Sequence, residues 1–502
     1  MTEREHALSA RIAGVLGLDP TAPAIEFEGS WRVWLQLAET VDQAAGLVAG
    51  AGSEVGILLR NRPASVGLLL GVLRAGGCVV TINPGRGIER TRDDITQLDL
   101  PVLAGEPADL AEFVPRESTA ILAATADLGA PLEVDGGTWG NRTRESVRQG
   151  TAVRMLTSGT TGTPKRVDLG YGMLERVLIG AKHYESDRLP SARLRRGIAV
   201  VNSPLVHLGG LFRVLQCVSD GRSFCLLERF SVDGWADAVR RHRPATASLV
   251  PTALRMVLEA DLDPRDLSTL RSVVSGTAPL DPDDADAFRA KYGVPVLTSY
   301  AATEFGGGVA GWNLEDHTKY WSSKRGSVGR AHAGCDLRIV DPDTEAPVAA
   351  GADGLLEVKA KQMGHDNWVR TTDIARIDAD GFLWILGRAD QAIIRGGFKV
   401  LPDDIKAALE RHPAVRGAAV LSRDDRRLGA VPVAVVELRH SEREEGERPP
   451  GPRELLAYAG TVLARYELPT EIHVVRQLPR TDSGKVDLAA LDALLEARSA
   501  TN

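Results

Sequence analysis

Apolar positions along the chain fall into two repeating patterns, short unbroken runs and stretches spaced as on a helix. Small and apolar residues recur at helical spacing over 31–49, and an apolar run over 55–59 predicts a buried strand after that helix. Asn61-Arg62-Pro63 reads as a turn, residues 65–75 as a buried helix stopped by Gly76-Gly77, residues 78–82 as a strand, and Asn83-Pro84-Gly85 as another turn. Further strands are expected at 166–169, 199–204, 248–250, 272–275 and 296–300. Apolar strands alternating with helices predict a parallel α/β sheet covered on both faces. Several of these strands end in small or polar residues, which is where such sheets hold ligands.

Near Gly387 the pattern changes. Pro402-Asp403-Asp404 opens a helix with acidic residues at the positive end of its dipole, and that helix is expected to reach about residue 411. Strands at 418–421 and 431–438, a charged loop at 441–452, a helix at 454–465, a strand at 471–475 and a helix at 488–498 then make a small α+β unit.

A chain of 502 residues exceeds one compact core and divides into domains. Its net charge of -7 supplies no basic field, which argues against nucleic-acid binding. Cys78, Cys217, Cys225 and Cys335 show no Cys-x-x-Cys spacing, so the sequence indicates neither a zinc site nor a disulfide framework. The N-terminus lacks an apolar signal core, and no apolar run approaches the ~20 residues of a membrane span. A soluble, cytoplasmic protein without a membrane partner is expected.

Chemistry concentrates first in Thr157-Ser158-Gly159-Thr160-Thr161-Gly162-Thr163-Pro164-Lys165. Glycines let backbone N–H groups turn toward an anion, hydroxyls donate, and the lysine adds charge. It is not a Walker A loop, because Pro164 precedes Lys165 and a strand rather than a helix follows. By itself the stretch fits a phosphate cradle or an ordinary turn.

Other stretches join it in order: residues 73–84, Pro204-Leu205-Val206-His207-Leu208-Gly209-Gly210, Ser275-Gly276-Thr277-Ala278-Pro279-Leu280, Tyr300-Ala301-Ala302-Thr303-Glu304, Arg370-Thr371-Thr372-Asp373, Gly387-Arg388-Ala389-Asp390, and Ser483-Gly484-Lys485. In this order the chain resembles the adenylate-forming superfamily, which includes acyl-CoA synthetases, adenylation domains of peptide synthetases and firefly luciferase.

The resemblance implies a large multi-sheet α/β domain over residues 1–389 and a small mobile α+β domain over 390–502 that carries the catalytic lysine. It implies that ATP activates a carboxylic acid to an acyl-adenylate with release of pyrophosphate, and that coenzyme A then takes the acyl group. By the same resemblance Lys485 bridges carboxylate and α-phosphate, Thr303 touches phosphate, Glu304 holds Mg2+, and His207 borders the acyl pocket. Thr157, Ser158, Gly159, Thr160, Thr161, Gly162 and Lys165 would grip the outer phosphates. Gly276, Thr277, Ala278, Pro279, Tyr300, Ala301 and Ala302 would line the adenine slot. Asp373 would take the ribose hydroxyls with Arg388 close by, Asp390 would be the hinge, and Gly396 and Gly397 would approach the thiol path. A lysine with an ordinary pKa of about 10.4 would be charged at neutral pH.

Ala301, Thr372 and Thr277 stand where the family usually has glycine, and none removes a charged role. Gly396-Gly397-Phe398-Lys399 is similar to the double-glycine form of acyl-CoA ligases, which favours coenzyme A as acceptor. Two other readings stand beside this one. A stand-alone adenylating enzyme would serve an acyl carrier protein or another nucleophile, and a non-catalytic protein would keep the pocket for regulation. The small residues of 305–311, with residues 183 and 206–212, suggest room for an apolar acid, and relatives of this kind are often homodimers.

Overall fold

The computed structural model describes residues 6–48, 53–135, 150–157, 165–179, 192–395, 398–439, 448–481 and 484–499. A seven-stranded sheet runs in the order Glu133–Asp135, Ile121–Ala124, Val102–Gly105, Glu54–Leu58, Cys78–Ile82, Thr151–Thr157 and Lys165–Gly170. Its five inner strands are parallel and its two edge strands antiparallel. Glu54–Leu58 and Cys78–Ile82 are buried at every position, as a sheet covered on both faces requires. The helix Pro63–Arg74 is buried along eleven of its residues and lies against Trp34–Ala45.

A second sheet orders Arg195–Val201, Arg222–Leu226, Pro23–Phe27 and Ser30–Val33. A third orders Thr246–Ser248, Ser272–Ser275, Val296–Ala302, Gly307–Gly311 and Arg330–Ala331, with its first three strands parallel. A fourth is an antiparallel meander of Cys335–Val340, Asp353–Ala360, Val369–Ile377 and Leu383–Arg388. After the short turn Ala389–Gln391 a separate sheet begins at Ile393–Arg395.

That last sheet is built on alternation. In Val415–Asp425 and Gly429–Leu438, Ala418, Val420, Ala434 and Val436 face the core shared with helices Pro402–Glu410 and Pro452–Ala459. Ala419, Val433 and Val435 face the other way, onto Leu491 and Leu495 of Leu488–Ser499. The period of two puts an apolar layer on each face, so helices cover both.

Several elements differ from the sequence reading: the strands Val102–Gly105, Ile121–Ala124 and Thr151–Thr157 were not expected, and the strand expected at 248–250 is Thr246–Ser248. The helix expected over 31–49 is Trp34–Ala45, because residues 30–33 pair with Pro23–Phe27 as a hairpin. The helix expected over 454–465 stops at Ala459, where Gly460 follows. The antiparallel meander after residue 335 was not anticipated at all; strands such as Cys335–Val340 and Val369–Ile377 carry partly exposed charged residues, and the apolar run that opens Leu383–Arg388 was not read as a strand.

Candidate active site

The carboxyl ends of the parallel strands converge on one cleft of about 2460 Å³. Ser272–Ser275 ends at Gly276, and Val296–Ala302 runs directly into the single turn Thr303–Phe305. His207 caps the helix Leu208–Ser219, its backbone N–H bonded to the Pro204 carbonyl at 3.0 Å. Lys165 opens the edge strand Lys165–Gly170. His207, Lys165, Gly276, Thr277, Ala278, Pro279, Tyr300, Ala301, Ala302, Thr303, Glu304, Asp373, Arg388 and Lys485 all line this one cleft. Thr157 is the last residue of its strand and the register partner of Lys165. Ser158, Gly159, Thr160, Thr161, Gly162, Gly396 and Gly397 lie outside the described residues, as does residue 183.

Asp373 and Arg388 are cross-strand partners in the antiparallel meander. The Tyr300 hydroxyl donates to Asp373, which locks the ring and the carboxylate together. Burial, with the Asp373 carboxylate adding to it, pushes the Tyr300 phenol up, so it remains a protonated donor. Arg388 Nε lies 3.9 Å from Asp373 Oδ1 and 3.1 Å from Asp390 Oδ1, and Nη2 also donates to Thr372 Oγ1. One guanidinium therefore joins Asp373 to Asp390 in the short turn Ala389–Gln391. Asp403, at the start of the helix Pro402–Glu410, comes close to Gly387, and burial pushes its carboxyl up.

Lys485 reaches the cleft from the small domain. The Gly484 carbonyl beside it accepts from Thr252 Oγ1 at 3.4 Å, and Arg255 holds Asp284 at 2.6 Å and Glu410 of the small domain at 3.4 Å. Nothing in the spacing of the sequence marks Arg255, because its two partners are far away along the chain. The Lys485 ammonium is open to the cleft but walled by protein, and this desolvation, followed by the charge of Arg388, pulls its pKa below the ordinary lysine range. The sequence had suggested an unperturbed lysine. Glu304 is exposed in the same space with Thr303 next to it.

Thr277 has φ 72°, a left-handed backbone that β-branched residues disfavour. Its side chain is exposed, so little packing offsets the strain. Thr277→Gly is expected to raise unfolding stability by about 0.5–1 kcal/mol, the strain relieved less the extra freedom glycine gives the unfolded chain. Urea unfolding of the two proteins checks this, and an unchanged or lower midpoint would contradict it.

The sequence profile of the AMP-binding enzyme family matches residues 17–365, and that of the AMP-binding enzyme C-terminal domain matches residues 404–485. The chain belongs to the AMP-binding enzymes. This AMP-binding enzyme is 30% identical to the indoleacetate–CoA ligase of Aromatoleum aromaticum over 512 residues, covering 94% of each chain. It is 29% identical to the 4-coumarate–CoA ligase-like 3 protein of Arabidopsis thaliana, covering 93% of this chain and 87% of that one. Its fold superimposes on ATP-bound MatB from Rhodopseudomonas palustris with a TM-score of 0.79 at 24% identity, over 97% of this chain and 98% of that one. In this AMP-binding enzyme no helix among the described residues is long and apolar enough to cross a membrane.

Proposed function

We propose that the chain is an AMP-forming acid–thiol ligase that activates a small carboxylic acid with ATP and passes the acyl group to coenzyme A. One observation carries the reading: Lys485, from the small domain, shares a single cleft with Thr303, Glu304, Asp373 and Arg388 of the large one. Its similarity to CoA ligases across nearly the whole chain supports the acceptor.

In this reading the functional division falls at 389/390 and Asp390 is the pivot. Asp373, fixed by Tyr300, has a carboxylate oxygen for the ribose, and Gly276, whose added Cβ would lie 2.9 Å from Ser299 Oγ, keeps a narrow wall for the base. Lys485 brings positive charge between two anions, acid and α-phosphate, and so lowers the barrier to their approach. An exposed carboxylate such as Glu304 facing open cleft space fits a Mg2+ ion, which when bound offsets phosphate charge. Lys165, which lines the cleft at the end of the Thr157 stretch, would hold the leaving pyrophosphate.

Pyrophosphate exchange that depends on an added acid, followed by thioester formation with free coenzyme A, tests the proposal. Exchange without thioester formation would replace coenzyme A by a carrier protein or another nucleophile, and absence of exchange across a panel of aryl and aliphatic acids would overturn the enzyme reading. Sedimentation of the same preparation decides between monomer and homodimer.

The depressed pKa of Lys485 has a kinetic consequence. The ammonium must be protonated to act, so kcat/KM for adenylation is expected to fall on an alkaline limb below the ordinary lysine range. Lys485→Arg, however poor its rate, should move that limb upward because guanidinium stays charged. An alkaline limb at the same pH in both proteins would assign it to another group.

A further inference from the structure

Outside the cleft, Glu26, Cys225 and His242 each present a ligand atom within 4.8 Å of the others'. Glu26 and Cys225 are register partners on the parallel strands Pro23–Phe27 and Arg222–Leu226, so their side chains leave the same face of the second sheet side by side. His242 is the last residue of the helix Val232–His242, which ends over that pair. Glu26 is 1% exposed, Cys225 2%, and the His242 side chain 7%.

The polar contacts among them conflict. Arg241 Nη1 lies 2.6 Å from Glu26 Oε1 and 3.2 Å from His242 Nε2, while the same Nε2 also meets Glu26 Oε2. A ring nitrogen cannot accept from the guanidinium and donate to the carboxylate at once. With a proton on Nε2 the guanidinium faces an N–H, and without it a lone pair faces a carboxylate oxygen. A cation at the meeting point would take the single lone pair of Nε2 together with Oε2 and Sγ, separating the crowded Nε2 and Oε2, while Arg241 keeps its bond to Oε1. Arg241 is itself steadied by Asp237 at 2.7 Å, and the Trp31 ring stands edge-on to His242 with centroids 5.9 Å apart. The negative end of the helix dipole also points at this spot.

We propose that Glu26, Cys225 and His242 form a structural site for a borderline divalent cation of the zinc type, with Arg241 supporting the carboxylate ligand. Thiolate, imidazole and carboxylate are a zinc donor set, and three protein ligands leave a fourth position for water. On binding, the Cys225 S–H bond breaks and its proton goes to solvent, the sulfur forms a bond to the cation, and His242 coordinates through neutral Nε2 with its proton on Nδ1. No electron is transferred. The site fastens the end of Val232–His242 to the sheet. It is independent of the acid-activating reading, since its residues are not among those lining the cleft.

The full chain, stripped by a chelator, is titrated with Co2+ and then with Zn2+. The expected result is one cobalt per chain with a thiolate-to-cobalt charge-transfer band, displacement by zinc, and a higher urea midpoint in zinc. Cys225→Ser and His242→Gln should lose the band, and Arg241→Ala should weaken cobalt binding about ten-fold. Circular dichroism and pyrophosphate exchange report whether each variant is folded; if Cys225→Ser is not, His242→Gln decides. A wild-type chain without the band overturns the site. So does a band unchanged in folded His242→Gln, or one abolished only by changing Cys78, Cys217 or Cys335.

Discussion

Lys485→Ala is expected to lower acid-dependent pyrophosphate exchange by about 10²–10³-fold, the size of effect seen when one preorganised charge or donor is removed from a developing anion. The side chain is exposed in the cleft, so its truncation leaves no cavity, and stability should stay within about 0.5 kcal/mol of wild type. The lost activity then reports chemistry rather than folding. Thioester formation from a supplied acyl-adenylate should survive, because the anion pair that Lys485 separates has already reacted. Single-turnover assays of the two halves, run on the same preparation, separate these outcomes. If both halves fall together, Lys485 supports the shape of the cleft and its assigned role is wrong.

Gly329→Ala is expected to be the most damaging small substitution. At φ 95° this residue has a backbone that side chains disfavour, and an added Cβ would lie 2.1 Å from the Gly311 carbonyl carbon and 2.4 Å from the Trp312 nitrogen. Both are backbone atoms, and Gly329 is also tied on each side: its N–H donates to Ser327 Oγ at 2.9 Å and its carbonyl accepts from Leu383 N–H at 2.9 Å. Strain and overlap together should cost about 3 kcal/mol or more. Gly311 and Trp312 line the cleft, so whatever activity remains should show a raised KM. Gly351→Ala is the control: φ is 86° but nothing lies within 4 Å of its Cβ, so only the backbone cost of about 1 kcal/mol applies. Equal urea midpoints for the two variants would contradict the argument.

Among the parallel strands, Cys78–Ile82 and Ser272–Ser275 were located to the residue, because strands covered on both faces favour apolar runs, whereas Val102–Gly105, Ile121–Ala124 and Thr151–Thr157 were not read as strands. The meander from Cys335 was not read either, because a strand such as Val369–Ile377 is half exposed and follows no simple period. Asp373 and Arg388 were picked out by motif, yet their pairing across two strands and the bond from Tyr300 are facts of register. Tyr300 and Asp373 are too far apart in sequence for any local pattern to join them. The same holds for Glu26, Cys225 and His242: the search for Cys-x-x-Cys spacing passes over ligands contributed by two strands and a helix end. The pull on Lys485 is a property of the folded cleft, since the burial and the Arg388 charge that cause it come from segments far from the Ser-Gly-Lys loop in sequence.

The sheet of the small domain has apolar layers on both faces, with helices Pro402–Glu410 and Pro452–Ala459 on one side and Leu488–Ser499 on the other. A unit filled on both sides has no soft plane along which to bend. In the reading proposed above, residue 390 would be the fulcrum of a stiff lever that carries Lys485 on its arm. A modest backbone rotation at such a fulcrum would become a large sweep at the ammonium. The ion pairs of Arg255 with Glu410 and of Arg416 with Glu259, at 3.4 and 3.2 Å, would then be the catches to release before such an arm could swing.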